Sequence, residues 1–406
     1  MNKQRHVLMI AHHRRFKIAG RSYAIAKALV RKGHKVTLMA ISNRRRFGIT
    51  ESEAQGIRIV ETPDLLWGRL RSGWDLWDTL NRLFYLRKDR TPYDLVHCFE
   101  TRPATIYPAL DYVRRNPIPL ITDWNDWWGR GGIIDTTRPV WYRPLLGPLE
   151  TYYEEAFRTR ADGLTVIATA LSKRGIELGM DPERICYLPG GVQDGVLDVP
   201  DKVACRQWVA AYDMERGHVY AGTDPILGFA SADSHWDLDI VMDAMSIVVG
   251  KYPQTRLVIT GKAGENVRAL ARKRGIEENI ELTGWLEREA LPYYLGCADV
   301  FLLPFPDEIR NIGRWPNKMG LYMGIGRPTV TNAVGDIKPL LEEHNVGLLA
   351  EWDPLDFAEK ILHLVENPDV ATQLGQQARR VAAVEYNWDN LITRLETFYD
   401  TILDAA

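Results

Sequence analysis

The sequence contains no long hydrophobic run. Near its start the only apolar stretch is residues 7–11, which basic and histidine residues flank on both sides. Five residues are too few for a signal peptide or a membrane-spanning helix. We therefore expect a cytoplasmic protein.

Cysteine is scarce, and a metal-binding pattern is missing. The four cysteines, at positions 98, 186, 205 and 297, form no Cys-x-x-Cys pair, so neither a zinc site nor a disulfide framework is predicted. Asp237 and Asp239 form an Asp-x-Asp pattern at the start of a predicted helix, where acidic residues favour the positive end of the helix dipole. His12, His13 and His97 lack the spacing of metal ligands. We expect no metal and no cofactor.

Acidic residues are absent from residues 1–50, which hold 13 lysines and arginines. Because the whole chain has a net charge of -2, the rest of it is acidic. A basic N-terminal region attracts phosphates, anionic lipid headgroups or nucleic acid. No nucleic-acid recognition motif accompanies it, so nucleic-acid binding is not expected. A peripheral contact with the inner face of the membrane stays open.

Short apolar runs do occur, and they alternate with helical patterns. The first-half strands are predicted at residues 6–11, 35–40, 57–60, 94–98, 118–122, 163–167 and 184–188. Those of the second half are predicted at residues 225–230, 255–259, 279–282, 299–303, 328–331 and 346–349. Strands separated by helices indicate parallel sheets with helices on both faces. The rhythm breaks at residues 190–225, where we place a linker between two Rossmann-like α/β domains, and an amphipathic helix is predicted at residues 389–403.

Several sequence blocks resemble the GT-B glycosyltransferases, specifically the retaining enzymes of glycosyltransferase family 4. The blocks are residues 7–40, 93–97, 162–167, 188–192, 282–285, 298–304, 316–318 and 322–328. The resemblance implies an α/β GT-B fold whose two Rossmann-like doubly wound parallel-sheet domains face a central cleft. It implies an acceptor-binding domain at residues 1–200 and a nucleotide-sugar-binding domain at 201–385. Residues 386–406 would form a helix that packs back on the first domain.

The resemblance also implies an activity and its site residues. A retaining enzyme of this family moves a sugar from a UDP- or GDP-linked donor to a glycan or lipid-linked acceptor, without a metal. Amide N–H groups and cations stabilise the negative charge of the leaving diphosphate. The resemblance implies Lys318 as a catalytic residue. Asn125, at the position where the family usually has a histidine, and Asp126, a carboxylate just beyond a strand end, are the other expected catalytic residues. The implied donor-binding residues are Gly20, His235, Lys262, Glu308, Asn311, Gly313, Asn317, Lys318 and Leu321. The expected acceptor-binding residues are His12, Glu100, Trp124 and Trp127.

The sequence departs from the family pattern at the donor site. The family's two glutamates correspond to Gly313 and Leu321, and its Arg-Lys pair corresponds to residues 231–235, where His235 is the one group that can be cationic. Residues 307–311 carry charged and amide side chains that could supply the lost contacts. Two alternatives therefore stay open. One is an altered or inactive GT-B protein that serves as a binding or scaffolding partner in glycan assembly. The other is a sugar-nucleotide epimerase.

Two groups of tryptophans have two interpretations each. Trp124, Trp127 and Trp128 border a glycine-rich loop, where indoles can stack on sugars or pack in the core. The second group follows helical spacing, with basic residues interleaved, and consists of Trp67, Leu70, Trp74, Trp77, Leu80 and Phe84. For this group we expect core packing, with a membrane-interface helix as the alternative.

Overall fold

The computed structural model describes residues 3–14, 20–42, 47–65, 72–213, 215, 217–220, 222, 224–231, 237–262 and 264–405. His235, Arg15, residues 44–46, Trp67 and Leu70 lie outside the described residues. Tertiary contacts divide the chain into two units. Unit 1 comprises residues 1–190, 308–315 and 388–406, and unit 2 comprises residues 191–307 and 316–387. Among the described residues, no helix has the length and apolar character needed to cross a bilayer.

Unit 1 is built on an eight-stranded sheet in the order β3-β4-β2-β1-β5-β6-β7-β8. The strands are β1 (His6–Arg14), β2 (Lys35–Ile41), β3 (Thr50–Ala54), β4 (Ile57–Thr62), β5 (Leu95–Phe99), β6 (Leu120–Trp124), β7 (Gly163–Val166) and β8 (Ile185–Tyr187). β3 pairs antiparallel with β4, and the other pairs are parallel. The strand pattern predicts all of these strands except β3.

The helices of unit 1 cover both faces of its sheet. They are α1 (Arg21–Arg31), α2 (Leu76–Lys88), α3 (Pro103–Arg115), α4 (Ile133–Thr137), α5 (Tyr142–Ala156) and α6 (Thr169–Glu177). Because side chains alternate along a strand, Val7 and Met9 belong to one core cluster, whereas Leu8 and Ile10 belong to another. Residues from α1 complete the first cluster, and residues from α2 and α3 complete the second.

Unit 2 is built on a six-stranded parallel sheet in the order β11-β10-β9-β12-β13-β14. Its strands are β9 (Ile226–Ala230), β10 (Arg256–Thr260), β11 (Ile280–Gly284), β12 (Val300–Leu303), β13 (Thr329–Asn332) and β14 (Gly347–Ala350). The helices of the second half are α7 (Lys202–Tyr212), α8 (Gly217–Tyr220), α9 (Leu238–Lys251), α10 (Glu265–Lys273), α11 (Leu291–Gly296), α12 (Ile309–Ile312), α13 (Asn317–Ile325), α14 (Ile337–His344), α15 (Pro354–Glu366), α16 (Pro368–Val384) and α17 (Trp388–Asp404). Of these, α12 and α17 belong to unit 1.

The predicted boundaries and the contact-defined units differ in detail. The domain limits at residues 200 and 385 remain predictions. In the structure, the chain passes from unit 1 to unit 2 after Gly190 and returns to unit 1 after Asn387. The stretch predicted as a linker, residues 190–225, contains α7 and α8, and α7 packs against α11. Since Cys205 of α7 contacts Gly296 of α11, most of this stretch is part of unit 2 rather than an open connection.

Candidate functional site

The loop that follows β6 starts from a buried ion pair in unit 1. Asp123, near the end of β6, accepts hydrogen bonds from Arg21 at 3.0 and 3.1 Å and from the Thr165 hydroxyl at 2.6 Å. Burial raises the pKa of Asp123, but the nearby guanidinium of Arg21 and these hydrogen bonds outweigh it and lower the pKa below its usual value. Arg21 directly follows Gly20, the N-cap of α1. The pair therefore fixes the half-buried Gly20 and the start of α1 beside the carboxyl end of β6.

Glu100 is buried just beyond the end of β5 and is hydrogen-bonded to the loop that follows β6. Its carboxylate accepts from the Asn125 backbone N–H at 3.0 Å and from the Arg158 guanidinium at 3.0 Å. Its backbone has a φ of 66°, a left-handed conformation that is uncommon for a residue with a side chain. In this arrangement the Glu100 carboxylate holds protein groups rather than facing a ligand. It is a positioning residue for Asn125.

Trp124 is fully buried. Its indole N–H donates to Glu154 at 2.9 Å, and the Arg158 guanidinium lies 4.8 Å from its ring centre. The structure thus corrects the sugar-stacking interpretation for this residue, because its ring faces are covered by the core. Trp124 is the last residue of β6, and all five residues of this strand are buried.

Glu154, on α5, is hydrogen-bonded to the loop that follows β6. Its carboxylate accepts from the backbone N–H groups of Trp128 and Gly129 at 2.7 and 2.6 Å, in addition to the Trp124 indole. Burial raises the pKa of Glu154 to about 7, against the opposing effect of the two backbone hydrogen bonds. Asn125 and Asp126, which this loop carries, are half-buried. Both residues are therefore partly accessible to solvent.

The two histidines near the strand ends lie in the protein interior. His12 is buried, and its Nδ1 lies 3.3 Å from the carbonyl oxygen of Phe99. His97 lies between the hydroxyls of Tyr399 and Thr165 at 2.7 and 3.1 Å, and burial lowers its pKa to about 4. His97 is therefore a neutral core residue. Within the described part of the chain, no group of three or more His, Cys, Asp or Glu side chains could hold a metal ion.

Trp127 accounts for the glycine at position 313. Both residues belong to unit 1, and a Cβ atom on Gly313 would lie 2.5 Å from the Cβ of Trp127. Real Cβ atoms essentially never approach so closely, so a larger residue at position 313 requires the loop or the indole to move. At position 313, where the resemblance implies the family's first donor glutamate, the Cβ of Trp127 leaves no space for a side chain.

The neighbours of Gly313 form a short, compact segment. Glu308 precedes α12 as its N-cap, and its carboxylate lies 2.5 Å from the Arg310 guanidinium. Asn311 is fully buried. The structure therefore places Glu308, Asn311 and Gly313 in unit 1, whereas the other described donor-site candidates of the second half belong to unit 2.

In unit 2, the first turn of α13 is fixed at the carboxyl end of β9. The hydroxyl of Tyr322 accepts a hydrogen bond from the backbone N–H of Ala230, the last residue of β9, at 2.8 Å. The Lys318 ammonium lies 3.9 Å from the centre of the Phe229 ring, also on β9. Helix N-termini attract anions, and ligands of open α/β sheets lie beyond the carboxyl ends of the strands. The arrangement of Lys318 and α13 suits an anionic ligand.

Three further candidates lie near the same edge of the unit 2 sheet. Asn317 is the exposed first residue of α13, and Leu321 is half-buried in its second turn. Lys262, just beyond β10, is exposed and lies 5.8 Å from the ring centre of the exposed Trp285, just beyond β11. The Leu321 side chain has no hydrogen-bonding group, and α13 contains no glutamate.

Two pockets within the units lie away from these residues. The pocket of unit 1, about 690 Å³, lies beside α4 and α5, and its lining includes none of the predicted site residues. The pocket of unit 2, about 680 Å³, includes Pro225, Asp299 and Pro328, which immediately precede β9, β12 and β13. It therefore lies at the amino ends of the strands, opposite the edge at which ligands bind.

Comparison with known families matches both halves of the chain. The family described as "Glycosyltransferase Family 4" matches residues 21–195, and that described as "Glycosyl transferases group 1" matches residues 224–367. The chain belongs to the group 1 glycosyltransferases with the GT-B fold.

Individual relatives of this group 1 glycosyltransferase are distant. A GDP-mannose-dependent alpha-(1-6)-phosphatidylinositol monomannoside mannosyltransferase of Mycobacterium tuberculosis is 24% identical over 167 residues, which are 39% of this chain and 43% of that protein. The match thus spans less than half the length of the curated relative. Sucrose-phosphate synthase from Thermosynechococcus elongatus has a TM-score of 0.75 at 14% identity, covering 99% and 100% of the two chains. HepE from Anabaena, solved with UDP and glucose, has a TM-score of 0.68 at 13% identity, covering 99% and 100%. These structures establish the two-domain parallel-sheet fold that the sequence predicts.

The residues that organise the unit 1 loop in this glycosyltransferase escape the sequence analysis. They are Arg21, Asp123, Glu154 and Arg158. Arg21 carries a usable signal, because it directly follows the glycine of the predicted α1 start. Glu154 and Arg158 carry none, since Glu154 lies on α5, Arg158 lies just beyond the end of α5, and both are well separated in sequence from the loop that they support.

Proposed function

We propose that this protein is a retaining glycosyltransferase that moves a sugar from a UDP- or GDP-linked donor to a glycan or lipid-linked acceptor without a metal ion. The single observation that supports it most is the position of Lys318 in the first turn of α13, held at the carboxyl end of β9 by Tyr322 and Phe229. A leaving diphosphate gains negative charge as the glycosidic bond breaks. Backbone N–H groups and a lysine fixed in advance stabilise that charge without reorganising.

Each unit has its own part in the proposal. In unit 2, Lys318 and the first turn of α13 bind the diphosphate, with Asn317 and Lys262 nearby. In unit 1, Asn125 and Asp126 orient the acceptor hydroxyl from the loop that Glu100 and Glu154 hold. No protein nucleophile is needed if the donor phosphate itself accepts the acceptor proton. The relative named for a GDP-mannose donor and a phosphatidylinositol mannoside acceptor supports the choice of donor and acceptor classes.

Donor binding tests the proposal directly. We would titrate UDP, GDP, UDP-glucose and GDP-mannose into EDTA-treated protein by calorimetry and follow donor hydrolysis. We expect at least one nucleotide sugar to bind without metal. Lys318→Ala should weaken its binding about tenfold or more, since charge-assisted hydrogen bonds contribute about 1.5–3 kcal/mol.

Lys338→Ala is the matched control. Lys338 is an exposed lysine on α14 of unit 2 that pairs with Glu342 at 4.0 Å, so its loss should leave donor affinity unchanged. Absence of binding by all four compounds contradicts the proposal, as does equal affinity of the Lys318 variant and the wild type. Retention is tested by the anomeric configuration of the product in NMR spectra.

A second candidate function is binding or scaffolding without catalysis. Two observations favour it, namely the apolar Leu321 on α13 and the absence of space for a glutamate at Gly313. This function predicts that a nucleotide sugar binds but is neither hydrolysed nor transferred to any acceptor. Turnover that Lys318→Ala abolishes would exclude it.

A further inference from the structure

Helix α5 and the turn before it expose a strip of large apolar side chains. Val140, Trp141 and Leu145 are 76%, 67% and 70% exposed, and Leu149 and Tyr152 are also exposed. Positions 141, 145, 149 and 152 recur every three or four residues, so they share one side of the helix. These five residues are called the α5 strip below. Contiguous exposed apolar surface of this kind marks an interaction site.

Two arginines lie next to the α5 strip. Residues 136–149 include Arg138 and Arg143 and no acidic residue, and the exposed Asp135 precedes this range. The next acidic side chains on α5, Glu150 and Glu154, are buried, and Glu155 is paired with Arg130 and Arg174 at 2.9 and 2.8 Å. The exposed apolar side chains are therefore bordered by cations.

Helices α2, α3 and α5 form one layer on the same face of the unit 1 sheet. Leu86 of α2 and Ile106 of α3 belong to one core cluster with Phe157, the residue that ends α5. Tyr153 of α5 joins its neighbours, because its hydroxyl lies 2.6 Å from that of Tyr107 and its ring centre lies 5.0 Å from that of Trp74. The exposed sides of the three helices consequently point away from the same sheet face.

Helix α2 adds a second apolar strip to this layer, because its charged side chains are buried and several of its apolar side chains are exposed. It buries Asp78 and Arg82, which pair at 2.9 Å. Its exposed apolar residues are Leu76, Trp77, Leu80 and Phe84, and Arg87 and Lys88 are exposed in its last turn. The core packing expected for Trp77, Leu80 and Phe84 is therefore wrong, since the buried ion pair occupies the inward side of the helix.

We propose that the outer side of the α2–α3–α5 layer lies on an anionic lipid bilayer, with the α5 strip inserted among the headgroups. A helix that shows tryptophan and leucine on one side and arginines at its edge is typical of the membrane interface. Arginine side chains can extend to anionic headgroups while their apolar stems stay in the interface. The inference rests on the proposed function only in that a lipid-linked acceptor would be reached at this surface.

Vesicle sedimentation tests the proposal with the full chain. The probes are vesicles of phosphatidylcholine alone and vesicles with 30% phosphatidylglycerol, at low and high salt. We expect binding to the anionic vesicles that weakens with salt. The double variant Trp141→Ser/Leu145→Ser should reduce the partition coefficient about tenfold or more, given about 1.5–3 kcal/mol for burial of each large apolar side chain. Leu80→Ser/Phe84→Ser should reduce it independently.

A matched control lies in unit 2. Trp352 and Leu355 are likewise exposed, and Trp352→Ser/Leu355→Ser should bind vesicles as the wild type does. The proposal is overturned if wild-type protein does not sediment with anionic vesicles, or if the α5 variant binds them equally well. It is also overturned if wild-type protein is a dimer that the α5 variant converts to a monomer, because a second copy would then cover the strip. Calorimetric donor binding is independent of this result, so failure of the proposed function would be seen separately.

Discussion

At the scale of single residues, buried carboxylates organise the candidate site. Glu100 and Glu154 come from distant parts of the chain, and each accepts backbone N–H groups of the loop after β6. The half-buried Asn125 and Asp126 have their positions set by these two glutamates. Mutations at the glutamates should therefore affect activity through loop geometry, without any contact with a substrate.

Glu154→Gln tests this support through pH. The folded-state pKa of Glu154 is raised by burial from 4.5 to about 7. Its contribution to stability is thus fully present below pH ~4.5 and is lost as the pH rises through about 7, a change of roughly 3 kcal/mol at most. We expect wild-type protein to lose its stability advantage over the glutamine variant between pH 5 and pH 8. Urea unfolding of both proteins at the two pH values measures this, and a constant difference would contradict it.

Gly313→Glu introduces a carboxylate at a position where the Cβ of Trp127 leaves no space for a side chain. The Cβ contact of 2.5 Å predicts a destabilisation of about 1–3 kcal/mol, typical of overpacking, and no gain in donor affinity. Trp127→Gly in the same protein removes the contacting Cβ atom and should recover part of the lost stability. Thermal unfolding of the single and double variants measures the coupling between the two positions. Additive effects of the two substitutions would show that the contact is unimportant.

Burial is what the sequence could not predict at this scale. Trp124, Glu100 and His12 lie at or just beyond the ends of predicted strands, as expected of site residues, but all three are buried. Whether a side chain at such a position is buried depends on the helices and loops that cover it, and these are distant in sequence. By contrast, the placement of Lys318 follows from its local motif, because the helix start and its anchoring residue Tyr322 lie within four residues.

At the scale of elements, the final helix α17 completes the unit 1 core. Leu391, Leu395 and Ile402 are buried with residues of α1 and of the central strands. The hydroxyl of Tyr399 lies 2.7 Å from the ring nitrogen of His97 on β5. The amphipathic pattern at residues 389–403 predicts this helix, and the structure extends it to Trp388–Asp404.

Leu395→Ala should destabilise unit 1 by about 2–5 kcal/mol, because a buried leucine is removed and a cavity remains. Leu355→Ala is the control, since Leu355 is 63% exposed on α15 and a surface change of this kind stays within about 0.5 kcal/mol. Differential scanning calorimetry of both variants gives the comparison. Equal midpoints would show that α17 contributes little to the unit.

Element prediction failed where the hydrophobic pattern was weak or inverted. β3 has the sequence Thr-Glu-Ser-Glu-Ala and lies at the edge of the sheet, so no apolar residues alternate to reveal it. In α2 the apolar positions show the correct helical period, but the buried side holds Asp78 and Arg82. Periodicity identifies a helix, whereas the choice of its buried side depends on tertiary partners. The parallel strands were predicted well because both of their faces are covered and they read as continuous apolar runs.

At the scale of the whole molecule, each unit has its own core. Among the described residues, one core cluster lies within unit 2, and two lie within unit 1, one on each face of its sheet. The chain passes between the units at residues 190, 307, 315 and 387. Unit 1 is therefore assembled from three separate parts of the sequence, and no single cut separates the two units.

Nucleotide binding should stabilise the two units unequally. If UDP or GDP binds through Lys318 and α13, a concentration one hundred times the dissociation constant adds about 2.7 kcal/mol to the stability of unit 2. In a calorimetric scan we expect one transition to rise by roughly 5–10 °C while the other moves less. The Lys318→Ala variant serves as the reference at the same nucleotide concentration. An equal rise of both transitions would contradict donor binding by unit 2 alone.

The contact between Trp127 and Gly313 also constrains how this sequence can change over generations. A side chain introduced first at position 313 meets the Cβ of Trp127, whereas a glycine introduced first at position 127 removes that atom. The first order of substitution passes through a strained protein and the second does not. The side chain that position 313 accepts is thus limited by a neighbour almost 190 residues distant in the chain.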